Sequence, residues 1–184
     1  MPSIYPNVIN EVLRIPGFLY WNTTNLDSES GYGKLLGYTE QGIELRTSQQ
    51  LLKFTTPESG DEVDRIYTTG STPQLLCVLK NYQPDALSAI FPGLSSSAEL
   101  RYPGNILAGQ ELSNDTHSKR LLFVPENLNN PCVLLQKACA NVSSALKFSR
   151  RDFLNFPVIF DALRKTDDPD GVYYVGDIQN GVLR

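Results

Sequence analysis

The sequence predicts a mainly β protein, either an antiparallel β-sandwich or a partly rolled barrel, with one flanking α-helix. Apolar and polar residues alternate in several short segments, turn-forming residues separate these segments, and only one stretch has a helical pattern. With 184 residues, the chain is long enough to bury one sizeable core. We therefore expect a single domain over residues 1–184, with an N-terminal arm (1–13) and a C-terminal extension (165–184).

The first strands are predicted between residues 43 and 80. Apolar and charged residues alternate over residues 43–46, and apolar and polar residues alternate over residues 52–55. Polar residues 47–50 lie between these two segments, so the pair is predicted to form a hairpin. Residues 74–80 (QLLCVLK) have a wholly apolar centre, which predicts a strand covered on both faces in the middle of the core.

Three further strands are predicted in the second half of the chain. Residues 121–124 form an apolar run that ends at Pro125, which cannot donate a ladder hydrogen bond. Residues 132–148 contain β-branched residues and paired serines, which favour a bent strand over a helix. Alternation is strongest over residues 154–163, where Pro157 belongs on an edge or at a bulge, and an edge strand with an apolar face would be open to a neighbouring chain.

The one predicted helix covers residues 84–91. Pro84 suits a first helical turn, Asp85 suits the positive end of the helix dipole, and three apolar residues share one face. Pro92 and Gly93 end the helix. It is the only segment for which the sequence predicts a helical element.

Composition excludes several classes of protein. The net charge of −4 and the pI near 5.0 argue against a surface that binds nucleic acid, because such binding needs clustered Lys and Arg. No apolar run approaches the roughly 20 residues that span a bilayer, and the N-terminus lacks the pattern of a signal peptide. We therefore expect a chain made in the cytoplasm, in which Cys77, Cys132 and Cys139 are reduced core residues.

The search for catalytic motifs nominates no catalytic, cofactor-binding or metal-binding residue, so we expect no enzyme and no cofactor. The only histidine, His117, lies in a polar loop without a nucleophile motif near it. Residues 31–34 lack the first glycine and the Ser or Thr of a phosphate-binding loop. The acidic segment 167–177 matches part of a calcium loop through Asp168, Asp170, Gly171 and Asp177, but Thr166 takes its first position. A turn explains the same residues, and the calcium alternative stays open.

The order of these pieces resembles the major tail tube proteins of long-tailed bacteriophages. The resemblance rests on the segment GYTEQG at residues 37–42, the predicted helix at 84–91, the strand FPVIFDAL at 156–163, and GVYYVGDI after it. It covers about residues 14–178, which corresponds to a whole-domain relationship. The fold of this family is related to that of the tube proteins of type VI secretion.

The resemblance implies a structural virion protein that forms hexameric rings, which stack into the tube for DNA ejection. Its partners would be further copies of itself, the tape measure protein, the tail tip or baseplate, and the terminator. DNA would be present only in transit, no membrane would be bound, and assembly would take place in the host bacterial cytoplasm. Residues 35–56 and 132–163 would form the bore and the contacts between neighbours. The arm and residues 59–69 would become ordered on stacking.

Two other functions remain open from the sequence. A tail terminator or a decoration protein would share the β-structure and form a single ring. A β-sandwich carbohydrate-binding module would need exposed aromatic residues, for which the candidates are Tyr5, Tyr20, Trp21, Tyr32, Tyr173 and Tyr174. These aromatic residues are expected to pack in cores and interfaces instead.

Overall fold

A computed structural model describes residues 15–54, 63, 65–80, 88, 113, 115, 117–141, 155–165, 171–179 and 182–183. This part of the chain is mainly β and antiparallel, as the sequence predicts. Its strands are β1 (Gly17–Trp21), β2 (Lys34–Thr39), β3 (Ile43–Phe54), β4 (Arg65–Leu79), β5 (Ser118–Pro125), β6 (Cys132–Asn141), β7 (Phe156–Ala162), β8 (Tyr173–Gly176), β9 (Ile178–Gln179) and β10 (Val182–Leu183). A short 3-10 turn covers Glu29–Gly31.

One large antiparallel sheet carries most of these strands, in the order β2-β1-β5-β6-β7-β4-β3. Strand β8 pairs with β6 next to the end of β7, and β9 pairs with β10. Although β2 and β3 are consecutive in the chain, β2 pairs with β1 and β3 pairs with β4 at the other end of the order. The sheet is therefore rolled, so that Tyr38 of β2 pairs with Lys80 directly after β4, and no ladder among the described residues closes it.

The segment at residues 37–42 forms the corner between β2 and β3. Gly42 adopts a φ of 74°, which favours glycine, and its N–H donates to the carbonyl of Thr39 at 3.3 Å. Thr39 is fully buried, and its hydroxyl donates to the carbonyl of Gly17 at 3.3 Å. Glu40 forms an ion pair with Lys80. These contacts hold the corner at which the chain changes pairing partner.

The core lies inside the rolled sheet. Its largest buried residues include Phe123 and Phe160, and the ring of Trp21 lies 5.9 Å from that of Phe160. A second apolar cluster of Leu26, Leu122, Val124, Cys132 and Leu134 includes residues of β5 and β6. Because both strands contribute alternate residues to both clusters, β5 and β6 are buried on both faces.

The prediction that residues 74–80 are covered on both faces is confirmed for one face of β4 and only in part for the other. Leu75, Cys77 and Leu79 are buried, whereas the alternate residues Leu76 and Val78 are only half-buried. A continuous apolar run therefore occurs here in a strand with one fully buried face. The doubly buried position belongs to β5 and β6.

The predicted hairpin with a turn at residues 47–50 is wrong. Ile43–Phe54 is one uninterrupted strand, and its partner is β4 throughout. Thr, Ser and Gln suit an exposed strand as well as a turn, so their local preference did not distinguish the two.

Strand β7 is not an edge strand, which corrects the interpretation of Pro157. It lies between β4 and β6 in the sheet. Pro157 pairs with Val78 of β4, but pairing with β6 begins only at Ile159. The proline therefore lies before the described pairing with β6 begins, towards the end of the β7 ladder, where a missing donor is better tolerated than in its middle.

Two other strand predictions are confirmed within the described residues. Strand β5 ends at Pro125, and the predicted strand from Cys132 is present as far as Asn141. The remainder, at 142–148, lies outside the described residues, as do the arm at 1–13 and, apart from Ser88, the predicted helix at 84–91. The described helical segments include none with the length and apolar character needed to cross a bilayer.

Candidate self-assembly surface

The most distinctive feature of the described chain is a two-stranded ribbon that extends beyond the rolled sheet. Pairing of β4 with β7 ends at Gln74↔Asp161. From there onward, residues 47–54 and 65–73 pair with each other in eight pairs, and no other described strand flanks them. At about 3.3 Å per residue, this ribbon is roughly 26 Å long.

Two features of β4 mark where the ribbon begins and how it runs. Pro73 lies next to the last residue paired with β7, and its missing N–H donor suits a strand that loses its second neighbour. Farther along, Gln50 pairs with Gly70 and Leu51 pairs with Thr68, so Thr69 is an extra residue in a β-bulge. A bulge increases the local twist, which turns the far part of the ribbon relative to the sheet.

The far end of the ribbon exposes large apolar side chains. We call this group the apolar end, and it consists of Leu52, Phe54, Ile66 and Tyr67, which are 48%, 47%, 57% and 51% exposed. The pairs Leu52↔Tyr67 and Phe54↔Arg65 place Leu52, Phe54 and Tyr67 on one face, while Ile66 lies on the other. Monomeric proteins rarely expose a large contiguous apolar patch, and such a patch often marks a contact with another protein.

The outer edge of β3 is also open within the described part of the chain. No described strand pairs with this edge of Ile43–Phe54. Between Arg46 and Lys53 its sequence contains neither a charge nor a proline, the devices that usually protect an edge from other chains. Glu44 and Arg46, which lie in the contact region 35–56 that the resemblance implies, form an ion pair at 2.7 Å on an exposed face.

Apolar exposure is confined to one end of the described sheet. Neighbouring strands are antiparallel, so β3 and β5 run in the same direction and end at the same end of the sheet. The ribbon lies there, and so does the turn after β5, in which Leu128 is 74% exposed. All of the described large apolar residues that are exposed, including Val63 between β3 and β4, therefore lie at this end.

The aromatic candidates for a carbohydrate platform do not form one among the described residues. Trp21 is buried in the main core, and Tyr173 packs against that core. Tyr20 and Tyr32 form an edge-on pair at 5.5 Å in the second cluster, where Tyr174 also packs. Tyr5 lies outside the described residues. Four of these five described residues are half-buried, and all five serve packing.

The cysteines are core residues, as the sequence predicts. All three are free and buried. Burial raises the pKa of Cys77 to about 12 and that of Cys132 to about 11, and burial is also the main cause of the raised pKa of Cys139. Such thiols are protonated and poorly nucleophilic at neutral pH.

Within the described residues, the remaining chemical candidates do not come together in a site. His117 is half-buried immediately before β5. Asp168 and Asp170 lie outside the described residues, and the described part of the chain contains no group of three potential metal ligands. The side chain of the buried polar residue Gln136 accepts a hydrogen bond from the Nε–H of Arg120 at 2.8 Å, and this contact stabilises the fold.

The sequence-based prediction did not include the ribbon. Two features of the sequence are consistent with it, namely Pro73 and the uncharged stretch after Arg46. No protein-family model matches the sequence, and a search of curated proteins finds no match. Function is therefore inferred from the geometry of the ribbon and its open edge.

Proposed function

We propose that this chain is a structural virion protein that assembles with copies of itself into stacked hexameric rings, the tube through which a long-tailed phage ejects its DNA. The observation that carries the proposal is the ribbon, which presents its apolar end beyond the described sheet. Burying a large apolar side chain stabilises a contact by roughly 1.5–3 kcal/mol relative to full exposure. Four half-exposed residues therefore give a substantial driving force for association.

The outer edge of β3, with which no described strand pairs, supports the same proposal. A strand edge with free N–H and C=O groups is satisfied when a strand of another chain pairs with it. Six copies that each lend about four strands form a barrel of about 24 strands, roughly 48 Å across at the backbone with strands tilted by about 40°. After side chains are subtracted, a bore of about 36 Å remains, which is wide enough for a DNA duplex.

The charge of the chain fits a conduit for DNA. A net charge of −4 per subunit makes the tube acidic. An acidic tube repels phosphate groups, so DNA passes without binding. In this role the chain contacts other tail proteins at the ends of the tube, namely the tape measure protein, the tip or baseplate, and the terminator. It uses no catalytic residue, cofactor or metal.

Light scattering coupled to size-exclusion chromatography tests the proposal over a range of concentrations. The molar mass of the wild-type protein should increase with concentration as it assembles. Phe54→Ser should remain monomeric, because it places a polar group in the apolar end. Phe54→Leu, which keeps an apolar side chain, serves as the matched control and should still assemble. A wild-type chain that stays monomeric at high concentration overturns the proposal.

A further inference from the structure

The turn between β5 and β6 presents a single apolar side chain at the same end of the sheet as the ribbon. Leu128 is 74% exposed, more than any residue of the apolar end. It lies between polar residues in the sequence Glu126-Asn127-Leu128-Asn129-Asn130. A leucine this exposed contributes little to the core of its own chain.

Hydrogen bonds fix the backbone of this turn. The side-chain oxygen of Asn127 accepts a hydrogen bond from the backbone N–H of Asn129 at 3.0 Å. The backbone carbonyl of Asn127 accepts one from the backbone N–H of Asn130, also at 3.0 Å. The side chain of Asn130 also donates to the carbonyl of Asn127, at 3.2 Å. Leu128 is thus held outward by an Asn-stabilised turn, so little backbone entropy is lost when it enters a binding pocket.

The base of the turn is attached to the rolled sheet. The N–H of Glu126 donates to the carbonyl of Pro16 at 2.9 Å. The carboxylate of Glu126 accepts a hydrogen bond from the hydroxyl of Tyr38 at 3.0 Å. These contacts connect the turn to β2 and to the segment before β1, so its position relative to the sheet is defined.

The size of the ribbon indicates that it does not form a stable interface alone. At about 26 Å by about 10 Å, one face covers roughly 260 Å², and both faces cover roughly 500 Å². A stable interface buries about 800 Å² on each partner. A second contact at the same end of the molecule is therefore needed. Among the described residues, Leu128 is the one exposed large apolar residue outside the ribbon and the segment that joins β3 to β4.

We propose that the β5–β6 turn is the second anchor of self-assembly and that Leu128 inserts into a second copy of this chain. This inference rests on the proposed function, because the ribbon provides the first anchor. A membrane is a poor occupant for this end. Glu126 lies two residues before Leu128, and the sequence that joins β3 to β4 contains Glu58, Asp61, Glu62 and Asp64, which anionic lipids repel.

Thiol labelling of Leu128→Cys with a maleimide reagent tests the inference directly. The native cysteines are buried and have raised pKa values, so the introduced thiol dominates the reaction. We expect labelling at least about tenfold slower in the assembled state than in the monomer, because the partner copy blocks access. The matched control is Leu128→Cys combined with Phe54→Ser, which should not assemble and should label quickly at every concentration.

A second variant measures the contribution of the side chain to assembly. Leu128→Ser should raise the concentration needed for assembly about tenfold. Leu128→Met, which keeps an apolar side chain, should assemble at the wild-type concentration, and the monomers of both variants should have equal thermal stability. If the wild-type chain assembles but the thiol at position 128 labels equally fast in assembly and control, the inference is overturned and the proposed function stands. A wild-type chain that never assembles overturns both.

Discussion

The ring of Phe54 stands perpendicular to the ring of Tyr67, with 5.5 Å between their centroids. The two residues come from β3 and β4 and lie on the same face of the ribbon. Edge-to-face pairs are stabilised by the ring quadrupoles, so each ring restricts the other even though both remain about half exposed. The ribbon therefore carries a preformed aromatic anchor before any partner arrives.

The aromatic pair should matter for assembly more than for folding. Tyr67→Ala is expected to change the free energy of unfolding by less than about 1 kcal/mol, because the side chain is exposed. The same change should raise the concentration needed for assembly about tenfold or more, as expected for a lost aromatic anchor. Sedimentation velocity and thermal melting measure the two effects, and Tyr67→Phe is the control that keeps the ring. Equal assembly of Tyr67→Ala and the wild-type chain would contradict the role of the pair.

The contact between Arg120 and Gln136 should be important for stability. Gln136 is buried, and its side-chain oxygen accepts the 2.8 Å hydrogen bond from Arg120. Arg120→Met leaves that oxygen unpaired, which should cost about 1–3 kcal/mol of unfolding free energy in chemical denaturation. Adding Gln136→Met removes the unpaired group and should recover part of the loss. A double variant less stable than Arg120→Met alone would argue against this explanation.

Gly33 should not tolerate a side chain. Its φ is 92°, and an added Cβ would lie 2.3 Å from the carbonyl oxygen of Trp21. Gly33→Ala is therefore expected to destabilise the chain by at least about 1–3 kcal/mol, measured by urea unfolding. Asn22→Gly provides a matched control, because Asn22 already has a positive φ of 62° and glycine relaxes it. Equal stability of Gly33→Ala and the wild-type chain would show that the turn rearranges freely.

The stability of the fold should fall at alkaline pH because of Cys77. The folded-state pKa of about 12 exceeds the unfolded value of 9.0, so between these values the unfolded chain loses a proton that the folded chain retains. The contribution of this thiol to the free energy of unfolding is fully present below about pH 9 and declines as pH rises, by about 1 to 1.5 kcal/mol at pH 10.

Comparison with Cys77→Ala isolates this contribution from other titrating groups. Urea unfolding from pH 8 to pH 10 should show a steeper decline for the wild-type chain than for the variant. Parallel declines would mean that the Cys77 thiol is not protected by burial in solution.

Alternation in the sequence predicted the inward face of β7 well. The period-2 alternation over residues 154–163 places Phe156, Val158, Phe160 and Ala162 on one face, and all four are buried. The end of β5 at Pro125 was equally predictable, because proline has a local effect on the ladder. Such properties depend on the residue itself or on its near neighbours.

The ribbon could not be predicted locally, because it forms only through pairing between residues that are distant in the chain. Whether residues 47–50 form a turn or a strand depends on β4, which begins at Arg65 and pairs with them across the connecting segment. The role of Pro157 likewise depends on how far β6 extends beside β7. The candidate surface was therefore only partly predictable: the resemblance indicated residues 35–56 as a contact region, but not the ribbon or its apolar end.

Electron microscopy of the purified chain at high concentration, in negative stain, tests self-assembly most directly. The wild-type protein should form hollow tubes of constant diameter, and Phe54→Ser at the same concentration should give only small single particles. Rings that never stack would favour a terminator or decoration protein. Uniform small particles for the wild-type chain at every concentration would contradict the proposal that copies of this chain cover the ribbon.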